Sequence, residues 1–176
     1  MSLKRKLENG ISAGASLIGL MWRRLLGNKV HFSPLTLVSV GASLQTYDNG
    51  EIKVGKKSAI RANTELSATH GQILIGDSCF INRNCMIVAH EKIVIGSGVT
   101  IGPNVNIYDH DHDGAGGYIS VPIVIENNVW IGAGSILLKG VRIGENSIIG
   151  AGTIVTDSIP SNTIAYNDMK LIKRVN

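Results

Sequence analysis

A six-residue period runs through most of the sequence and constrains its fold more than any other feature. Aliphatic residues recur at this spacing, and between positions 125 and 155 they do so six times without a slip. An amphipathic helix repeats about every 3.6 residues and an exposed strand about every 2, so neither produces a sustained period of six. The aliphatic positions are Ile75, Ile81, Ile87, Ile95, Ile101, Ile107, Ile125, Ile131, Leu137, Ile143, Ile149 and Val155.

Six residues suit one short strand and one tight corner, and three such sides close a triangular coil of about 18 residues. In most hexads a small or β-branched residue stands four places after the aliphatic residue, where it can fill the inner corner. Residues 54–159 therefore predict an all-β fold, a parallel β-helix of about five stacked coils. The inner-corner residues are Cys79, Cys85, Val99, Val105, Val129, Ser135, Val141, Ser147 and Thr153.

The period also divides the chain. Residues 31–165 form the predicted β-helix, residues 1–30 a helical segment that caps it, and residues 166–176 a short basic C-terminal tail. The aliphatic residue expected at position 113 is missing from the polar, glycine-rich stretch 108–122, so we expect this stretch to leave the coils as an extruded loop. Functional residues concentrate on such loops, because a rigid scaffold holds them in place.

Composition limits the classes of function. Hydrophobic residues make up 44% and charged residues 17% of the 176 residues, which excludes a disordered chain. The net charge of +4 is too small to indicate a nucleic-acid partner. Two cysteines without a secretory leader indicate a reducing compartment, so we expect a cytoplasmic protein. Residues 1–28 combine an apolar helical face with basic residues, so peripheral contact with the inner face of the membrane is the alternative to a capping role.

The densest cluster of polar side chains lies in the predicted loop and consists of Asp109, His110, Asp111, His112 and Asp113. A histidine beside a carboxylate suits general base catalysis, because the carboxylate fixes the tautomer and stabilises the imidazolium. A solvated loop without function and a metal site are the alternatives. No metal is expected, because no cysteine lies nearby and a His-x-His pair fits a tight coil wall poorly.

Other side chains outside the loop have simpler interpretations. Cys79 and Cys85 share the inner-corner position and are expected to be stacked core thiols. His90 is expected to be a surface residue at a corner. Trp130 stands where a β-helix faces solvent, and an exposed tryptophan indicates an interface or a ligand surface.

The hexads Ile-Gly-x-x-Val, the segment 129–132 and the segment 149–156 resemble the left-handed β-helix hexapeptide-repeat acyltransferases. The likeness is to the branch that O-acetylates maltose, galactosides and the sugars of capsule or lipopolysaccharide, and it covers roughly residues 54–175. It implies a left-handed coil, acetyl-CoA as acyl donor, a saccharide acceptor and no metal. It also implies a homotrimer whose active sites lie between subunits.

The resemblance implies roles for individual residues as well. His112 corresponds to the catalytic base, and His110 takes that role if the loop bends differently. The implied substrate contacts are Asn82, Tyr108, Asp109 and Trp130. The implied coenzyme contacts are Trp130, Gly132, Ala133, Ala151, Thr156, Lys170 and Lys173.

In the implied reaction the base deprotonates a sugar hydroxyl, which attacks the thioester directly in a ternary complex. The chain departs from the family pattern at Asp157, where a lysine is usual, and at residues 166–170, where a glycine and a proline are missing. Three alternatives stay open: transfer to the amino group of an amino or nucleotide sugar, a γ-class zinc carbonic anhydrase, and a scaffold without catalytic activity.

Overall fold

The computed structural model describes residues 29–33 and 35–167, which form a three-sided parallel β-helix. Each coil contributes one strand to each of three parallel sheets, and the strand pairs with its counterparts in the neighbouring coils. The sheets contain six, seven and six strands, so the stack has about six coils. The all-β parallel β-helix predicted from the hexads is confirmed.

The strands are short, as the hexads require. The first sheet contains β1 (Val30–Phe32), β4 (Glu51–Val54), β7 (Gln72–Ile75), β10 (Lys92–Ile95), β15 (Ile123–Ile125) and β18 (Arg142–Ile143). The second sheet contains β2 (Leu37–Val38), β5 (Ala59–Ile60), β8 (Phe80–Ile81), β11 (Thr100–Ile101), β16 (Trp130–Ile131), β19 (Ile148–Ile149) and β21 (Ile164–Ala165). The third sheet contains β3 (Ser43–Tyr47), β6 (Glu65–Thr69), β9 (Met86–Ala89), β12 (Asn106–Tyr108), β17 (Ile136–Leu137) and β20 (Ile154–Val155).

The stack begins one coil earlier than the hexads indicate. Strands β1, β2 and β3 form a complete coil before residue 54, in register with the coil that follows. The strands from β1 to β4 start 7, 6 and 8 residues apart, so the corners of this coil differ in length. The unequal corners hide the six-residue period there, which is why the sequence predicts about five coils.

The predicted aliphatic residues form the core. All twelve are at most 5% exposed, and the nine inner-corner residues are at most 4% exposed. A buried hydroxyl at an inner corner needs a partner, and the hydroxyl of Ser135 lies within donating distance of the carbonyl oxygens of Gly132 and Gly150, at 2.9 and 3.0 Å. The six-residue period therefore predicts the inside of the stack correctly.

The two cysteines belong to this core. Both are free thiols, and burial raises the pKa of Cys79 and of Cys85. Their sulfur atoms donate to the carbonyl oxygens of Gly96 and Gly102, at 3.0 and 3.2 Å. They are core thiols, as expected from their hexad position.

Asparagine residues turn the chain at many corners. Asn84, Asn104, Asn128, Asn146 and Asn162 adopt positive φ angles between 57° and 59°, which asparagine tolerates better than most residues. Their side chains also bond from coil to coil, for example from Asn128 to Asn146 at 3.3 Å and from Asn146 to Asn162 at 3.2 Å. The corners are therefore held by side-chain ladders as well as by the backbone.

One segment leaves the three sheets. After β12 the chain forms an antiparallel hairpin of β13 (His110–His112) and β14 (Tyr118–Ser120), and then returns to the first sheet as β15. We call residues 109–121 the hairpin. It projects at the corner between the third sheet and the first sheet of the next coil.

The predictions for the chain ends fall largely outside the described residues. These are the helical segment of residues 1–30, the membrane contact through residues 1–28, and the basic tail with Lys170 and Lys173. In the part of the chain that the structure describes, no helix has the length and hydropathy needed to span a membrane.

Candidate active site

A groove of about 410 Å³ runs along the outside of the second sheet. One wall is a column of outward side chains on successive coils, in which Phe80, Thr100, Trp130 and Ile148 stand in register. Trp130 is 55% exposed and Phe80 is 37% exposed, although both rings are largely apolar. Exposed apolar columns of this kind mark a ligand or partner surface.

The floor of the groove is the corner that follows the second sheet. Gly102, Gly132 and Gly150 occupy equivalent positions there on three successive coils. A Cβ atom on Gly132 would lie 2.5 Å from the backbone nitrogen of Ala151, so the close stacking of the coils excludes a side chain. The floor is therefore bare backbone, and a narrow ligand can lie directly against it.

Residues that the sequence suggested for substrate or coenzyme meet in this groove. Its lining includes Asn82, Trp130, Gly132, Ala133 and Ala151. Asn82 is half-buried at one end, where its Oδ1 accepts the backbone N–H of Arg83 at 2.9 Å. Its side-chain NH₂ donates to no other described residue, so this group is available to a ligand.

A buried carboxylate fixes the base of the hairpin. Asp109 is 0% exposed and lies where the chain leaves β12. Its Oδ1 accepts the backbone N–H of His90 at 2.8 Å, and its Oδ2 accepts those of Glu91 and Lys92 at 2.8 and 2.7 Å. Three charge-assisted bonds tie the hairpin to the corner of the preceding coil. The structure leaves this side chain no free surface for a substrate.

His110 packs between polar and aromatic groups. Its Nδ1 lies 3.2 Å from Oδ1 of Asp109, and its side chain is 14% exposed. The ring stacks on His90 with centroids 3.8 Å apart and meets the edge of Tyr118 at 5.5 Å. Burial, and then the neighbouring charge of His110, lower the pKa of His90 below its usual value.

His112 has a different environment at the far end of the same strand. It is exposed, and its ring centroid lies 4.8 Å from that of Tyr118 across the hairpin. No carboxylate of the described residues lies within salt-bridge distance of its ring. The two alternatives for the catalytic base therefore differ in exposure, because the ring of His110 is packed whereas that of His112 is open to a ligand.

The tip of the hairpin is closed by its own side chains. Asp113 accepts the backbone N–H groups of Ala115 and Gly117, both at 2.8 Å, and these bonds lower the pKa of the Asp113 carboxyl. Asp111 forms an ion pair with Lys139 of the stack. The hairpin is thus braced at its base, along its side and at its tip.

Two predicted contacts lie outside the groove. Tyr108 is half-buried on β12, where its hydroxyl bonds to Sδ of Met86 at 3.3 Å and burial raises its pKa. Thr156 follows β20 and bonds through its hydroxyl to Asp157 at 2.8 Å. Both belong to the third sheet and its end, away from the floor of the groove.

The groove and the hairpin occupy different edges of the three-sided stack. The groove lies at the corner between the second and third sheets, whereas the hairpin starts at the corner between the third sheet and the next coil. The width of the third sheet separates these corners. One chain therefore presents the exposed His112 on one edge and the Trp130 groove on another.

Sequence reasoning missed three residues of these two regions. Phe80 occupies the same hexad position as Trp130, so its place on the same outer surface could have been predicted from the sequence. His90 is half-buried under the hairpin rather than free at a corner, because the hairpin folds over it. Tyr118 reaches the histidines only through the antiparallel pairing of β13 and β14, which carries no period.

Within residues 29–33 and 35–167, no three His, Cys, Asp or Glu side chains are grouped so that they could hold a metal ion.

A protein-family model matches part of the repeat. Residues 122–157 match the family described as bacterial transferase hexapeptide (six repeats). The segment includes strands β15 to β20 and the corner residues Gly132 and Gly150 of the groove floor. The chain thus carries the bacterial transferase hexapeptide repeat, and the resemblance found in its sequence is confirmed.

Individual proteins resemble this chain over about half of its length. Nodulation protein L of Rhizobium meliloti is 49% identical over 94 residues, which cover 50% of this chain and 51% of the relative. Galactoside O-acetyltransferase of Lactococcus lactis is 41% identical over 105 residues, which cover 56% of this chain and 51% of the relative. The chain spans about half the length of these curated relatives.

A solved structure matches over a longer stretch. It is a variant of AntD, an N-acyltransferase from Bacillus cereus, in complex with dTDP-4-amino-4,6-dideoxyglucose and coenzyme A. The TM-score is 0.70 at 22% identity, and the match covers 88% of this chain and 90% of that chain. At this identity the likeness shows the fold alone.

Proposed function

We propose that this protein is an acetyl-CoA-dependent acetyltransferase that acetylates a hydroxyl group of a saccharide. The observation that carries the proposal is that the chain presents both an exposed histidine on a braced hairpin and, on another edge, an apolar groove with a floor of bare backbone. The galactoside O-acetyltransferase among the relatives supports the reaction and the class of acceptor. Use of acetyl-CoA agrees with the cytoplasmic location expected from the two cysteines.

Acetyl-CoA lies along the groove in this proposal. The pantetheine arm is narrow enough to follow the bare floor at Gly132 and Gly150, with the indole of Trp130 as an apolar wall. The short side chains of Ala133 and Ala151 beside the floor leave space for the pantetheine arm. Ala133 and Ala151, which also line the groove, are the other described residues expected to contact the coenzyme.

His112 is the general base in the proposed mechanism, because its ring is open to a ligand. It takes the proton of the acceptor hydroxyl as the oxygen attacks the thioester carbonyl carbon. Collapse of the tetrahedral intermediate breaks the carbon–sulfur bond, and protonated His112 returns the proton to the leaving thiolate. A backbone N–H would stabilise the oxyanion. Transfer is direct, since Cys79 and Cys85 are buried in the core.

His110 and Asp109 serve as positioning residues. Asp109 is bonded to three backbone N–H groups of the stack and to Nδ1 of His110, so the start of β13 has one well-defined position. His112 lies two residues further along the same short strand. Fixing the strand therefore fixes the base, and precise placement of a catalytic group lowers the entropic cost of reaction.

The active site in this proposal lies between two copies of the chain. Packing copies side by side around a threefold axis, as a homotrimer, brings the hairpin of one subunit over the groove of the next. Three apolar residues of the hairpin support such a contact, because Tyr118, Ile119 and Val121 are 52%, 53% and 41% exposed in the single chain. A neighbouring subunit would cover them.

Release of the coenzyme thiol from acetyl-CoA, with methyl β-galactoside as acceptor, tests the proposal. Replacing His112 by alanine should lower kcat by about 10²- to 10⁴-fold, because a general base is lost. His31→Ala is the matched control, since His31 is an exposed histidine of the first coil, far along the stack from the hairpin.

Three results would contradict parts of this proposal. Full activity in His112→Ala with loss in His110→Ala would move the base to His110. Turnover with methyl galactosaminide but not with methyl galactoside would replace O-acetylation by N-acetylation. Failure of the parent protein to bind or turn over acetyl-CoA would contradict the acetyltransferase function itself.

A further inference from the structure

Beyond one end of the groove, the row of corner residues that lines it continues into charged side chains on the next coils. The corner position that follows the floor glycine is occupied by Pro103, Ala133 and Ala151 on three successive coils, and all three line the groove. On the coil before them the same position holds Arg83. Equivalent residues on adjacent coils lie about 4.8 Å apart, so Arg83 is the next side chain along the groove edge.

A second arginine extends this corner. Arg61 occupies, one coil earlier, the position that Asn82 occupies at the end of the groove, and its backbone N–H donates to Ile81 at 3.0 Å. Arg83 is exposed and Arg61 is half-buried. Along this row of corners, glycine and alanine give way within three coils to the amide of Asn82 and the guanidinium groups of Arg83 and Arg61.

Neither guanidinium is neutralised inside the described chain. Arg61 and Arg83 form no ion pair with a described residue, whereas Arg142, Lys53 and Lys139 each have a carboxylate partner. Two unpaired cations on neighbouring coils raise the electrostatic potential at this end of the groove. Their charge favours an anionic group of a ligand.

From this arrangement we infer that Arg61 and Arg83 select an anionic acceptor, a saccharide that carries a phosphate group. The inference rests on the proposed function, in which the coenzyme occupies the bare floor at Gly132 and Gly150. The acceptor then falls at the opposite end, beside the free amide of Asn82. A guanidinium group presents a planar fork of N–H donors that matches two oxygens of a phosphate.

Calorimetric titration of the full chain loaded with CoA tests this inference, with galactose 1-phosphate and galactose as the matched probes. The phosphorylated sugar should bind about 10-fold more tightly or better, as expected for charge-assisted hydrogen bonds. Arg83→Gln should abolish that advantage, and Arg83→Lys should keep part of it, because the charge stays while the fork is lost. Binding of CoA to Arg83→Gln should equal that of the parent.

The control is Lys56→Gln, which removes one exposed positive charge from the same coil as Arg61 but at another corner. It should keep the preference for galactose 1-phosphate, whereas a general effect of net charge would weaken it as much as Arg83→Gln does. Thermal unfolding midpoints of all variants should match the parent, since the replaced side chains are exposed.

Two outcomes would overturn the inference. Equal binding of galactose and galactose 1-phosphate by the parent would remove the preference itself. A weaker affinity of Arg83→Gln for CoA, with galactose 1-phosphate unaffected, would assign the arginines to the phosphates of the coenzyme. Failure of the parent to bind CoA is a different result, since it contradicts the proposed function, and titration of the unloaded protein with the two sugars would still measure the anion preference.

Discussion

The coil stack and the hairpin are stabilised in opposite ways. In the stack, every coil repeats the same contacts, with aliphatic side chains inside and parallel pairing to both neighbours. The hairpin has two strands of three residues and no apolar core of its own. A short isolated hairpin is marginally stable in water, so this one depends on contacts to the stack.

The two regions differ in how many contacts hold them in place. Stability in a solenoid is approximately a sum over similar neighbouring units, so no single polar contact decides it. The position of the hairpin depends instead on one carboxylate, Asp109, and on the stacked rings of His90 and His110. We therefore expect substitutions in the two regions to affect different measurements.

The largest effect on stability should come from the stack. Ile87 is 0% exposed and pairs in register with Leu66 and Ile107 of the adjacent coils. Ile87→Ala should lower the free energy of unfolding by about 2–5 kcal/mol, through lost burial and the cavity left behind. Urea denaturation monitored by circular dichroism measures this change.

The matched control lies on the same strand. Val88 points outward and is half-buried, so Val88→Ala should change the free energy of unfolding by less than about 1 kcal/mol. Equal losses of unfolding free energy in Ile87→Ala and Val88→Ala would contradict the assignment of Ile87 to the core and of Val88 to the outer face.

A smaller effect on stability, with a larger one on activity, is expected at the base of the hairpin. Asp109→Ala leaves the backbone N–H groups of His90, Glu91 and Lys92 without their acceptor. Local opening should become easier by about 1–3 kcal/mol, the cost of an unsatisfied buried donor. Hydrogen exchange at these three amides should accelerate, while exchange in the core strands stays slow.

Enzyme kinetics distinguish a positioning role from general destabilisation. In Asp109→Ala the kcat for acetyl transfer should fall by about 10-fold or more, with the KM for acetyl-CoA unchanged, because the base moves while the groove stays intact. Asp109→Asn keeps one acceptor oxygen, so its kcat for acetyl transfer should lie between the values of the parent and of Asp109→Ala. Unchanged exchange at residues 90–92 in Asp109→Ala would contradict the role given to this carboxylate.

The same division explains what could be predicted from the sequence. The six-residue period predicted the inward residues and the exposed Trp130, since each coil repeats one geometry. It could not predict that His90 stacks on His110, because that contact depends on how the hairpin folds back. Asp109 was expected to contact a substrate, yet strand alternation from the inward Ile107 already pointed its side chain inward.

In the proposed trimer, the groove and the hairpin of one chain each need a second copy of the chain to complete an active site. Each chain carries both, on separate edges, so the central claim is that an active site combines the groove of one subunit with the hairpin of another. The claim rests on the positions of His112 and Trp130 in the stack. It is open to a direct test, because the two residues can be inactivated in different chains.

The most direct measurement is complementation between His112→Ala and Trp130→Ala, each tested alone and after co-expression. Random assembly of a cyclic trimer leaves both residues intact at about a quarter of its interfaces. Each variant alone should have low activity, because one lacks the proposed base and the other lacks a wall of the coenzyme groove. The account therefore predicts that the co-expressed variants recover about a quarter of the parental acetyl-transfer activity. Absence of recovery in mixed trimers would contradict it, since a site built within one chain would have no intact copy in the mixture.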